Sequence, residues 1–154
     1  MSVIDTLKLR QAVAGDVAAI VRLLAADPLG AKREKPGDPV YDEAFRAIDA
    51  DLNNELWVIE GPDGRVLGVL QLTLIPGITH TAGTRAQIEG VRIAEELTGQ
   101  GVGTWFFEQM IVRAREKGVR MVQLTSDKTR TDAIRFYEAL GFTATHEGFK
   151  LKFD

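Results

Sequence analysis

The spacing of apolar and polar residues predicts strands and helices in the order β-α-α-β-β-β-α-β-α-β-β. Strict alternation is typical of a strand with one buried face, whereas apolar residues at i, i+3 and i+4 are typical of an amphipathic helix. The alternating segments are residues 7–12, 55–60, 66–74, 84–93, 119–124, 142–146 and 148–153. The helical segments are residues 15–26, 41–52, 103–117 and 132–140. This order predicts one mixed α/β layer fold.

The connections between these segments add two expectations. A helix separates the strand 84–93 from the strand 119–124. Parallel neighbours need a crossover of this kind, so we expect these two strands to be parallel. Residues 29–39 contain two prolines and two glycines, which predicts a loop. The last two alternating segments are close together and predict a C-terminal hairpin.

Three glycines at alternate positions, Gly99, Gly101 and Gly103, lie between the strand 84–93 and the helix 103–117. Glycine has no Cβ and lets backbone N–H groups turn toward a ligand. The first turn of a helix adds unpaired N–H groups and the positive end of the helix dipole. Such a turn could merely relieve strain, but three alternating glycines before a helix favour a phosphate-binding site.

The spacing of these glycines excludes two familiar phosphate loops. A Walker loop needs Gly-Lys followed by Ser or Thr, and the chain contains no such run. A dinucleotide fingerprint needs G-x-G-x-x-G, but Thr104 occupies the last position counted from Gly99, and Phe106 occupies it counted from Gly101.

Composition limits the class of protein. The 154 residues suit a single domain over residues 1–154, and 45% are hydrophobic. A formal net charge of -3 argues against a nucleic-acid partner. The absence of cysteine removes disulfides, a thiol nucleophile and cysteine-based metal sites. We find neither a targeting segment nor an apolar run of about 20 residues, so we expect a cytoplasmic protein without a membrane partner.

A second motif lies in residues 132–142, where Ala133-x-x-Phe136-Tyr137 precedes Gly141-Phe142. Together with the glycine turn it resembles the GCN5-related N-acetyltransferase (GNAT) superfamily. In that family the turn reads Gln/Arg-x-x-Gly-x-Gly/Ala and the second segment reads Ala-x-x-Phe-Tyr-x-x-x-Gly-Phe. The resemblance covers nearly the whole chain in element order. It implies a mostly antiparallel twisted sheet with one splayed parallel strand pair and helices on both faces.

The resemblance also implies an acyltransferase that moves an acetyl group from acetyl-CoA to an amine in a ternary complex. It implies that the pantetheine arm lies along the strand at Val91, Arg92 and Ile93, bonded to backbone groups of Val91 and Ile93. The pyrophosphate would lie on the turn. The residues of this turn are Thr98, Gly99, Gln100, Gly101, Val102, Gly103 and Thr104.

Two positions depart from the family pattern. Thr98 replaces the usual Gln or Arg, which removes a long side chain but leaves the backbone amides in place. Arg130 stands where the family often has Asn. It could meet a CoA phosphate or the adenine end, or it could be a solvated loop arginine.

Two residues are candidates for proton transfer. In the family, a tyrosine at the position of Tyr137 protonates the departing CoA thiolate, although an aromatic residue in an amphipathic helix can equally be core. Glu89 is the candidate general base, since it lies two residues before Val91 and alternation places both side chains on one face. Burial would raise the pKa of its carboxyl. Alternatively, Glu89 forms an ion pair with Arg85 or Arg92.

The sequence indicates only a chemical class for the amine that accepts the acetyl group. Acidic residues between positions 34 and 49 hint at a cationic acceptor, such as an amino sugar, a polyamine, an amino acid or a protein amine. A mixed-charge solvated loop explains them equally well. His80 and His146 have no metal ligand at short spacing, so we expect no metal.

An acyl-CoA sensor with little catalysis is the alternative to an enzyme. The edge of the segment 148–153 could pair between subunits, and the resemblance allows a homodimer.

Overall fold

The computed structural model describes residues 1–154 and contains two compact units, Met1–Gln123 and Leu124–Asp154. Strands of the first unit are β1 (Lys8–Gln11), β2 (Asn54–Glu60), β3 (Val66–Ile75), β4 (Arg85–Ile93) and β5 (Met121–Gln123). Its helices are α1 (Val17–Leu24), α2 (Pro28–Arg33), α3 (Val40–Ala50), the single turn α4 (Thr79–Ala82) and α5 (Val102–Glu116). Short 3-10 turns cover Val3–Thr6, Ala14–Asp16 and Glu95–Leu97. The second unit contains α6 (Thr131–Ala139).

The five strands form one sheet in the order β1-β2-β3-β4-β5. The first three pairs are antiparallel, and β4 pairs with β5 in parallel. The mixed α/β fold with one parallel pair is therefore confirmed. The parallel pairing is short, because it ends where Gln87 lies opposite Gln123. Residues 88–93 of β4 extend past this point, so the two strands part there.

Helices cover both faces of the sheet. On one face, Ile20 of α1 packs against Val58 and Val69, which lie directly opposite each other on β2 and β3. On the other face, Arg113 of α5 bonds to Glu55 and lies over the ring of Trp57. Because side chains alternate along β2, these contacts place α1 and α5 on opposite sides.

A bulge interrupts β4 beside β3. Val69 lies opposite Arg92 and Gln71 lies opposite Glu89, so Leu70 alone faces both Gly90 and Val91. Gly90 has a φ of 63°, in the left-handed region that glycine enters at little cost. An extra residue in one strand shifts the alternation of its side chains, so Glu89 and Arg92 share a face although they are three positions apart.

The loop predicted for residues 29–39 is wrong over its first part, where the structure contains α2. Pro28 occupies the first helical position, where its missing N–H costs nothing. Asp27 caps the helix by accepting a hydrogen bond of 2.6 Å from the Gly30 N–H. Gly30 is required by close packing, because a Cβ there would lie 1.8 Å from the Leu24 carbonyl oxygen.

The C-terminal hairpin predicted for residues 142–153 is also wrong, since no strand follows α6. The alternating side chains Phe149, Leu151 and Phe153 are 94%, 82% and 93% exposed. Alternation indicates which residues would share a face, but a strand also needs backbone partners that the local sequence does not specify. No helix has both the length and the apolar character needed to cross a membrane.

Candidate functional site

The glycine turn begins after the 3-10 turn Glu95–Leu97 and leads directly into α5. Gly99 and Gly101 have φ values of 77° and 78°, in the left-handed region. A Cβ at either position would meet no protein atom within 4 Å. Glycine is therefore favoured at both positions by the backbone conformation and not by close packing against other residues. Gly103 is different, because it lies inside the first turn of α5.

The N-terminus of α5 has no side-chain cap. Its first intrahelical hydrogen bond runs from the Trp105 N–H to the Gly101 carbonyl at 3.1 Å. The N–H groups of Val102, Gly103 and Thr104 therefore have no partner in the preceding turn. Together with two left-handed glycines, these amides form a concave donor set that suits an anion.

Two other residues of the turn hold its shape. The Gln100 side chain donates to the Glu96 carbonyl at 2.9 Å. The Thr98 N–H donates to the Glu95 carbonyl at 3.0 Å, so this amide is already used within the protein. Hence the anion-binding donors come from the helix side of the turn rather than from its start.

Arg92 uses its side chain to bind a helix. Its guanidinium forms an ion pair with Asp27, the residue that caps α2, and the side chain is 15% exposed. The Arg92 Nε is buried and has no hydrogen-bond partner. Because the Arg92 side chain is paired with Asp27, only the backbone of Arg92 is left to contact a cofactor that follows β4.

Glu89 is exposed, so the expected burial is not found. Its side chain accepts a hydrogen bond of 3.4 Å from the Gln87 amide. Arg92 is paired with Asp27 instead, so Glu89 does not form the alternative ion pair with Arg92. The bulge also means that Glu89 shares its face with Arg92, a relationship that simple alternation assigns to Val91.

Glu89 belongs to a set of polar side chains that crosses four strands, which we call the polar row. Its register pairs are Asn54 with Thr73, Thr73 with Gln87, Gln71 with Glu89, and Gln87 with Gln123. Cross-strand partners point to the same side of a sheet, so all six side chains lie on the face that carries α1 and α3. Five of these side chains are partly exposed, and the sixth, Glu89, is exposed. Five of them were missed from the sequence, because only the strand register aligns them.

A buried carboxylate on β2, that of Glu55, binds the C-terminal half of α5 to the sheet. Glu55 is 8% exposed and accepts two hydrogen bonds from Arg113, at 3.0 and 2.6 Å, and one from the Trp57 indole at 3.0 Å. Burial by itself would raise the pKa of Glu55, but the bonds from Arg113 and Trp57 and the charges of Arg113 and Lys117 outweigh it and lower that pKa. This cluster stabilises the helix that carries the anion-binding amides.

In the second unit, Tyr137 lies in α6 between two other rings. Phe136 and Phe142 meet its ring edge-on, with centroid distances of 5.3 and 6.0 Å. Burial raises the pKa of the Tyr137 hydroxyl, and the opposing charge of Arg130 is the smaller effect. The phenol therefore keeps its proton at neutral pH, as a proton donor must.

Arg130 immediately precedes α6. Its N–H donates to the Asp127 carbonyl at 3.0 Å, and Asp127 also accepts from the Thr129 N–H and hydroxyl at 2.9 and 2.6 Å. This local turn sets the entry to α6. Within residues 1–154 no group of three or more His, Asp or Glu side chains is arranged to hold a metal ion.

Comparison with known proteins adds a family and several similar structures. The model of the acetyltransferase (GNAT) family matches residues 17–142. A transcriptional regulator from Bacillus halodurans is 45% identical, with a TM-score of 0.90, over 96% of this chain and 99% of that one. An acetyltransferase from Trypanosoma brucei is 24% identical, with a TM-score of 0.80, over 96% and 99% of the two chains. Glucosamine-6-phosphate N-acetyltransferase from Arabidopsis thaliana is 19% identical, with a TM-score of 0.80, over 97% and 99%.

The last two structures share the fold. The comparison with curated proteins found no match.

Proposed function

The chain belongs to the acetyltransferase (GNAT) family, and we propose that it is an enzyme that transfers the acetyl group of acetyl-CoA to a primary amine. The observation that carries this proposal is the pair of left-handed glycines in front of the uncapped N-terminus of α5. A helix N-terminus of this kind binds phosphate through backbone N–H groups and the helix dipole. The pyrophosphate of CoA supplies such a group.

The residues present fit acetyl-CoA. The amides of Val102, Gly103 and Thr104 would hold the pyrophosphate, and the open space beside Gly99 and Gly101 leaves room for it. The pantetheine arm would follow β4 at Val91, Arg92 and Ile93, a stretch that lies beyond the pairing with β5. Arg130 would meet a phosphate or the adenine end. Acetyl-CoA would supply an activated acetyl group as a thioester.

The chain would contribute the proton transfers. A primary amine is protonated at neutral pH and must lose a proton before it can attack the thioester by direct transfer in a ternary complex. We assign that proton to the Glu89 carboxylate, directly or through a water molecule. The departing sulfur gains a proton from the Tyr137 hydroxyl, and the second proton, which the nitrogen loses as the amide forms, returns to the Tyr137 phenolate. The position of Tyr137 in the second motif supports this assignment, and its phenol is protonated at neutral pH.

The extent of the family match supports one acetyltransferase domain over residues 1–154. The matched residues, 17–142, include parts of both compact units. We also retain the homodimer as a proposal. The exposed alternating residues Phe149, Leu151 and Phe153 support it, because an unpaired apolar stretch on a monomer is costly in water.

A sensor that binds acyl-CoA with little catalysis is the second candidate. It is favoured by the relative at 45% identity, which is named a transcriptional regulator. The two candidates share the CoA site but differ in turnover. Only the enzyme consumes acetyl-CoA when an amine is present.

Calorimetric titration with acetyl-CoA, followed by a panel of amines in the same cell, separates these candidates. The enzyme predicts binding and then sustained heat with one class of amine. Binding without sustained heat from any amine supports the sensor. No binding of acetyl-CoA contradicts both, since it would mean that the glycine turn only connects β4 to α5.

A further inference from the structure

We propose that the polar row is the acceptor subsite and that it selects a hydroxyl-bearing primary amine, such as an amino sugar, over an aliphatic amine. The proposal rests on the proposed transferase function and adds the class of acceptor to it. The row consists of Asn54, Gln71, Thr73, Gln87, Glu89 and Gln123, all within the first unit.

The direction of the amide groups on β2 and β3 is fixed by Asp51. An ionised carboxylate only accepts hydrogen bonds, so the Asn54 side chain presents its NH2 group to Asp51, at 2.8 Å. The Asn54 oxygen then accepts from the Gln71 amide at 3.0 Å, and also from the Thr73 hydroxyl at 2.7 Å. The Gln71 nitrogen is therefore directed to Asn54. Its oxygen, Oε1, has no partner within the chain.

Glu89 fixes the other half of the row in the same way. Its carboxylate accepts from the Gln87 nitrogen at 3.4 Å, and the Gln87 oxygen accepts from the Gln123 nitrogen at 3.0 Å. This order leaves the Gln123 Oε1 and the Glu89 Oε2 without partners in the chain. The oxygens left over in both halves are acceptors, so the row favours a ligand that donates several hydrogen bonds.

Gln71 and Glu89 lie directly opposite each other on β3 and β4. Cβ atoms of such pairs are about 5 Å apart, which brings the amide oxygen and the carboxylate within reach of one ligand group. An ammonium group has three N–H donors and a positive charge, so it satisfies both oxygens. Arg92, a cation on the same face of β4, is paired with Asp27 and forms no ion pair with Glu89.

The other members of the polar row determine which further groups the bound amine should have. Gln123 and Gln71 offer amide oxygens, and the aliphatic residue opposite Gln71, Leu56, already packs against the buried residues of α1, α3, β2 and β3. An aliphatic amine would cover these oxygens without bonding to them, and a polar group deprived of water and of a partner is costly. Hydroxyl groups would replace that water. Sites built to bind hydroxyls discriminate strongly against analogues that lack them.

The test compares glucosamine with cyclohexylamine, two primary amines on six-membered rings that differ in their hydroxyl groups. We expect the wild-type chain to acetylate glucosamine with a kcat/KM at least about tenfold higher. Gln71→Leu should lower kcat/KM for glucosamine about tenfold, mainly through KM, and leave the KM for acetyl-CoA unchanged. Gln109→Leu, the same change at an exposed position of α5, should behave as wild type.

Equal use of both amines by the wild-type chain would overturn the proposal. So would an equal loss for both amines in Gln71→Leu. Spermidine and a lysine peptide are included to separate this result from a failure of the proposed function. Transfer to either of them, but not to glucosamine, overturns the acceptor class and leaves the transferase standing, whereas no transfer to any amine contradicts the transferase itself.

Discussion

Arg92 of β4 and Asp27 at the start of α2 form an ion pair across 65 positions of the chain. Asp27 also caps α2, so one carboxylate both begins the helix and binds it to the sheet. The bulge at Gly90 makes this contact available, because it directs Arg92 to the face that also carries Glu89. The pair therefore links the position of α2 to the strand that carries the candidate base.

Arg92→Met should destabilise the chain by about 1–3 kcal/mol, since it leaves the partly buried Asp27 carboxylate without its cation. Arg92→Lys keeps the charge and should lose less. Urea unfolding at neutral pH measures both. Arg115→Met, at an exposed position of α5, is the matched control. Equal losses in Arg92→Met and Arg115→Met would show that the pair contributes nothing to stability.

Gly101→Val should abolish measurable acetyl-CoA binding, because the strained residue would tilt the α5 amides and its side chain would occupy the space of the phosphate. Gly118 provides an unusually close control. It follows α5, has the same φ of 78°, and a Cβ added there would likewise meet no atom within 4 Å. Both substitutions should cost about 1–2 kcal/mol of stability through the left-handed conformation.

Only Gly101→Val should lose affinity for acetyl-CoA in calorimetry. Normal affinity in a folded Gly101→Val protein, or an equal loss in Gly118→Val, would remove the turn from the binding site.

Tyr137→Phe should lower kcat by about a hundredfold or more while acetyl-CoA still binds, since it removes only the proton donated to sulfur. The pKa of Tyr137 is raised above its ordinary value of 10.0 by burial, so any loss of rate from its ionisation should occur at a higher pH than for an exposed tyrosine. Tyr41→Phe is the control, as the chain has two tyrosines. Steady-state kinetics across a pH series checks both points. An unchanged kcat in Tyr137→Phe would end its assignment as the acid.

Glu55→Gln should destabilise the chain by about 2–3 kcal/mol at neutral pH, since it leaves Arg113 and Lys117 beside a neutral group. The pKa of Glu55 is lowered in the folded state, so its stabilisation is present above the unfolded value of about 4.5 and is lost as the pH falls below it. The difference between wild type and Glu55→Gln should therefore shrink in acid. Glu108→Gln, on the exposed side of α5, is the control for urea unfolding at each pH. A difference that stays constant with pH would exclude the ion pair as its source.

The parts of the fold with local signals were predictable. Alternation located β2 and β3, and the helix between β4 and β5 required their parallel pairing, which the structure contains. The glycine turn was visible because left-handed positions before a helix favour glycine. For α2, in contrast, the proline of Asp27-Pro28 indicated an end, although proline is equally suited to the first position of the next helix.

Non-local relationships could not be predicted in the same way. One extra residue at Gly90 changed which side chains share a face with Glu89, and nothing in the local pattern distinguishes a bulge from regular alternation. The polar row needs the register of four strands, since its members are far apart in sequence. The ion pair between the Arg92 side chain and Asp27 was not predictable either, because the two residues are 65 positions apart in the sequence.

The two ends of α5 should differ sharply in amide hydrogen exchange. Amides deep in the helix, such as those of Phe107 and Met110, are bonded and covered by buried side chains, and they should exchange through unfolding alone. The amides of Gly103 and Thr104 have no such bond and should exchange within the dead time of an ordinary experiment. A bound phosphate would slow the exchange of those two amides and leave the exchange of the deep amides unchanged. Within one helix, the deep amides would therefore serve as the reference, and the first-turn amides would report whether phosphate is bound.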